Sequence, residues 1–176
     1  MTDPEISELA YHEAGHAVVA AWLGAEVVLV TLEPEDDDGP LRDGDTTIRW
    51  HHRGLSTSEL MIRELMAVLA GPVFEMTYAG IDRRLDRHPP WDADWRLAQG
   101  LAAGLANSPA GAAKVIETTL GRIRELADQE PFWQTVAEVA DLLEAHESLS
   151  GDEVHACLTR WLGSRGHDAV GKGGVF

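Results

Sequence analysis

The chain has 176 residues, 44% of them hydrophobic, a formal net charge of -16 and a single cysteine. That length suits one globular domain with a core that needs no disulfide, and the excess of acid excludes a binder of nucleic-acid phosphate, which requires clustered Lys and Arg. Cys157 has no cysteine to pair with; it reads as a small core residue on a late helix, in keeping with a reducing cytoplasm.

The first predicted element is a helix. Asp3-Pro4-Glu5 places an N-cap ahead of a proline suited to the first turn, with an acid at the positive end of the helix dipole. Ile6, Leu9, Ala10, Ala17, Ala20 and Leu23 supply its apolar stripe, and Gly24 is its stop. Inside it lies His12-Glu13-Ala14-Gly15-His16. On a helix, two histidines four residues apart stand one turn above each other and grip one metal ion together, with Glu13 beside it as general base for a metal-activated water. This is the arrangement of the HExxH metallopeptidase motif, so His12 and His16 are the candidate zinc ligands and Glu13 the candidate catalytic residue. No signal peptide is expected ahead of the helix, and the longest apolar run, residues 17–23, is too short to cross a bilayer. A cytoplasmic protein without a membrane partner is the expectation.

Val27-Val28-Leu29-Val30-Thr31-Leu32 is rich in β-branched residues and predicts a strand, as does Thr46-Thr47-Ile48-Arg49-Trp50. Residues 33–45 between them are rich in Asp, Gly and Pro and read as a solvated loop; the acid run Glu35-Asp36-Asp37-Asp38 lacks the alternating spacing and terminal glutamate of a calcium loop. Ser56-Thr57-Ser58-Glu59 is a capping-box start, opening a helix through Leu60, Met61, Leu65, Leu69 and Val73 to about Thr77. Its small residues Ala67, Ala70 and Gly71 permit close approach of the histidine helix. Glu75 is placed either to hydrogen-bond a ligating histidine from behind or to serve as an ordinary paired glutamate.

A charged linker over residues 80–91 ends in Pro89-Pro90-Trp91, and Asp92 is read as the cap of a helix over 93–106, closed by Asn107-Ser108-Pro109. Helices over 112–129, 132–147 and 151–162 follow, and residues 163–176, with five glycines, read as a flexible tail after a domain of residues 1–162. The fold class is therefore mainly α with a small β-sheet: a helical domain with a short strand pair between the first two helices.

Tyr11-His12-Glu13-Ala14-Gly15-His16-Ala17 resembles the signature of the peptidase domain of FtsH-type ATP-dependent zinc metalloproteases, and Leu69-Ala70-Gly71-Pro72-Val73-Phe74-Glu75 is similar to their second helical segment. The order of elements agrees over residues 6–161. The resemblance implies that an aspartate opening a helix with a D-x-x-x-A pattern is the third zinc ligand, which matches Asp94-Trp95-Arg96-Leu97-Ala98. Asp86, His88 and Asp92 also lie within reach; with Asp92 read as the cap, Asp94 is left to point at the histidines, its helix anchored by Leu97, Leu101 and Leu105 with Trp95 beside the site. Two departures stand out. Arg87-His88-Pro89-Pro90-Trp91 replaces the family's glycine-rich segment, and Pro72 stands where an arginine is common.

No G-x-x-x-x-G-K-[ST] phosphate loop occurs in the chain, so the expectation is a peptidase standing without the ATPase module and indifferent to ATP. The function expected is zinc-dependent hydrolysis of peptide bonds in unfolded or flexible protein segments or peptides. Thr46, Thr47, Ile48, Arg49 and Trp50 form the candidate edge strand on which an extended substrate adds. Tyr78, His51 and His52 are candidates by chemistry for steadying the oxyanion, and the His51-His52 doublet is a weaker alternative as a second metal site. The alternative functions are a zinc-stabilised regulatory or partner-binding protein with little peptidase activity and a zinc hydrolase of a small amide. The resemblance also suggests a homo-oligomer and leaves room for a separate ATPase or regulatory partner.

Overall fold

A computed structural model describes residues 4–33, 44–52, 54–81 and 91–163. The acid run Glu35-Asp36-Asp37-Asp38, the alternatives Asp86 and His88, and the tail after Gly163 lie outside the described residues.

The fold is mainly α with a small antiparallel sheet. Helix α1 (Pro4–Trp22) is buried on nearly every side through its middle, where Ala10, Ala14, Ala17, Val18, Val19 and Ala20 have no exposed surface. Its first turn departs from the predicted stripe, since Ile6 is 45% exposed and Ser7 is buried instead. Helix α2 (Thr57–Ala79) starts with the predicted capping box: the Glu59 amide donates to Ser56 Oγ (3.2 Å) and the Ser56 amide to Glu59 Oε2 (2.7 Å). The two helices pack closely because α1 carries no side chain at the tightest point. A Cβ on Gly15 would stand 2.9 Å from the Ala70 carbonyl oxygen and 3.1 Å from Phe74 Cβ.

Strands β1 (Glu26–Thr31) and β2 (Asp45–Arg49) pair as predicted, with Val30 opposite Thr46. Trp50 lies just past the end of β2, half-buried against the core. A third strand, β3 (Ser148–Ser150), pairs with the other side of β1, so the sheet order is β2-β1-β3 and β2 forms an edge. The strand pair expected from sequence is thus part of a three-stranded sheet.

Helix α3 (Asp92–Leu105) differs from its prediction in two respects. Trp91, not Asp92, occupies the N-cap and makes no side-chain cap; Asp92 is the first helical residue and is exposed. Ala98 and Ala102 supply its buried face, whereas Leu97 is 49% exposed and Leu101 and Leu105 are only half-buried. Small residues let α3 lie close on α2, and larger ones would hold it away. Asn107-Ser108-Pro109 marks a start as much as a stop: Ser108 caps α4 (Pro109–Ala127) by accepting from the Gly111 amide at 3.1 Å, with Pro109 in the first turn. Helices α5 (Glu130–His146) and α6 (Gly151–Leu162) complete the chain, and Cys157 is buried on α6. Among the described residues no helix is long and apolar enough to cross a membrane.

Candidate metal centre

Helix α1 presents His12 and His16 from one face toward α2 and the start of α3. His16 Nδ1 lies 2.8 Å from the Ala67 carbonyl oxygen. A carbonyl only accepts, so Nδ1 carries the hydrogen and Nε2 keeps its lone pair. His12 Nδ1 lies 2.8 Å from Glu75 Oε2, and the Trp91 indole N–H donates to that same oxygen at 2.6 Å. Glu75 thereby holds His12 with its Nε2 turned toward His16.

The two Nε2 atoms are 3.0 Å apart, and Asp94 closes the third side with Oδ2 at 3.2 Å from His12 Nε2 and Oδ1 at 3.6 Å from His16 Nε2. Among the described residues these three form the one group whose ligand atoms all converge, within 4.8 Å of one another. Four electron-pair donors facing one point repel unless a proton or cation stands between them. Burial acts to lower the His12 pKa, but its hydrogen bonds to Asp94 and Glu75 and the charges of Glu13 and Asp94 outweigh it and push it up to about 10. A divalent cation answers the same excess of negative charge. Two imidazoles and one carboxylate are donors of the kind that zinc takes, so the residues present fit that ion.

The room for His16 comes from Gly71. A Cβ there would lie 2.4 Å from His16 Nε2, so any larger residue displaces the ring. Glu13, on the adjoining side of α1, is buried, and its Oε2 accepts from Thr46 Oγ1 at 2.6 Å.

His12, Glu13, His16, Asp94 and Glu75 thus come together, and Thr46 joins them from the sheet. The other predicted substrate residues do not. Thr47 is exposed and bonds Asp45 (2.9 Å), Ile48 is half-buried, Arg49 pairs with Glu26 (3.4 Å), and Trp50 is off the strand. Tyr78 stacks on Tyr11 with ring centroids 4.1 Å apart, His51 pairs with Glu26 at 3.5 Å and His52 is exposed. Trp95 lines a groove of about 690 Å³ between α3 and α4 with Gln99, Ala103 and Ile116.

Trp91 was not foreseen as part of the site. Read as the end of a charged linker, it is 2% exposed and bonded to Glu75; the available signal was a bulky apolar residue after two prolines. A scan of protein-family profiles and a search of curated proteins find no match to this chain.

Proposed function

We propose that the protein is a zinc-dependent metallopeptidase, similar in kind to the FtsH-type peptidase domain, that hydrolyses peptide bonds of flexible segments or peptides and needs no ATP as an isolated chain. The observation that carries this reading is the convergence of His12 Nε2, His16 Nε2 and the Asp94 carboxylate next to a buried glutamate. A metal-binding scaffold does not require a glutamate at position 13; hydrolysis does.

Zinc, when bound, supplies Lewis acidity that polarises the scissile carbonyl and acidifies the attacking water. The chain supplies the rest. Glu75 and the Ala67 carbonyl keep both imidazoles in the tautomer that offers Nε2. Glu13 takes the proton from the attacking water and passes it to the leaving nitrogen, a transfer worth roughly 10²–10⁴ in rate. Strand β2, at the sheet edge, offers main-chain donors and acceptors to an extended peptide, giving affinity with little dependence on sequence.

The test is cleavage of casein by zinc-loaded wild type and by Glu13→Gln. Wild type is expected to cleave and the variant, with zinc retained, to be slower by about 10² or more. Equal cleavage by both would indicate a contaminating protease. No cleavage by zinc-replete wild type would favour a zinc-stabilised regulatory or partner-binding protein.

A further inference from the structure

Resting on the hydrolytic reading above, we infer that Thr46 is a positioning residue for Glu13, pinning one carboxylate oxygen so that the other faces the reacting water. A glutamate side chain has three rotatable bonds, and its last is soft. Burial alone does not fix which oxygen points where. Thr46 Oγ1 does so by donating to Glu13 Oε2 at 2.6 Å, a short charge-assisted bond, while lying 3.3 Å from the carbonyl oxygen of the same residue. The threonine reaches side chain and backbone of one residue at once, so it registers the glutamate against the helix that carries it.

The other oxygen meets a surface without a side chain. Gly44, two residues before Thr46, has φ of 120°, a conformation that glycine adopts readily, and a Cβ there would stand 3.1 Å from Glu13 Oε1 and 3.2 Å from its Cγ. Gly44 and β2 therefore treat the two oxygens differently, Thr46 bonding Oε2 while only glycine backbone stands beside Oε1. Thr46 is itself fixed by pairing opposite Val30 in the sheet.

A merely structural hydroxyl would affect stability; a positioning one affects turnover. Thr46→Val keeps the shape and removes the bond, Thr46→Ala does so with less crowding, and Thr46→Ser keeps the hydroxyl. With a fluorogenic flexible peptide, the Val and Ala variants should lose about 10- to 100-fold in kcat with KM within about twofold, zinc content unchanged. Ser should recover most of that loss, to within about threefold of wild type. Independently of turnover, the Thr46 hydroxyl proton should be protected from solvent exchange in the nuclear magnetic resonance spectrum of wild type. Wild-type kcat in Val and Ala, an equal loss in Ser, or an unprotected hydroxyl would each overturn the inference while leaving the peptidase reading in place. An inactive zinc-loaded wild type would remove both.

Discussion

His12 and His16 leave the same face of α1 one turn apart, yet α2 holds them by different chemistry. His16 is held by backbone and by space: a hydrogen bond to the Ala67 carbonyl and the gap at Gly71. His12 is held by side chains in series, with Trp91 bonding Glu75 and Glu75 bonding His12. A ligand held by backbone has no partner that substitution can delete, so it fails only when its space is taken. A ligand held by a chain of side chains weakens by steps, less with each link further from the ring.

The largest effect is expected at the His16 end. Gly71→Ala puts a methyl 2.4 Å from Nε2 in a closely packed contact, and the ring must leave its position. Zinc affinity should fall more than about 100-fold, although alanine is intrinsically the better helix former. Isothermal titration of the metal-free variant with zinc checks this; near-normal affinity would show that His16 is held by something other than this gap.

At the His12 end the losses should be graded. Glu75→Gln keeps size but weakens the bond to Nδ1, and zinc affinity should drop about 10- to 100-fold. Trp91→Phe removes one donor to Glu75 while His12 keeps its own partner, a change of about 1 kcal/mol or about fivefold in affinity. Competition with a chromophoric chelator resolves both. A Trp91→Phe loss larger than that of Glu75→Gln would mean that Trp91 acts on the site by packing, since it is nearly fully buried, rather than through the glutamate.

The same contrast governs what could be read from the sequence. Features set within a few residues were legible: the His12–His16 spacing, the Ser56/Glu59 box, and the bounds of α6, whose Ser150/Glu153 box repeats the pattern. The small patch at Ala67, Ala70 and Gly71 was legible as a place of close approach, because its cause is the small size of its own residues. Features decided by distant partners were not. Strand β3 has three residues, too few to show a period, and exists because β1 has an unpaired side. Asp92 has the chemistry of a cap, but burial of Trp91 places the helix start one residue earlier. Leu97 looks like an anchor, yet the close packing of α3 selects Ala98 and Ala102. The bond from Thr46 to Glu13 crosses 33 residues and leaves no local trace.

Whether His12, His16 and Asp94 make one zinc centre is decided by metal content, measured by mass spectrometry on purified wild type, Asp94→Ala and Asp92→Ala. Asp92 is exposed in the first turn of α3 and contributes only to the helix dipole, about 0.3–1 kcal/mol of stability. Zinc near one equivalent is expected in wild type and Asp92→Ala, with its loss from Asp94→Ala. Zinc-replete Asp94→Ala beside metal-free Asp92→Ala would contradict it.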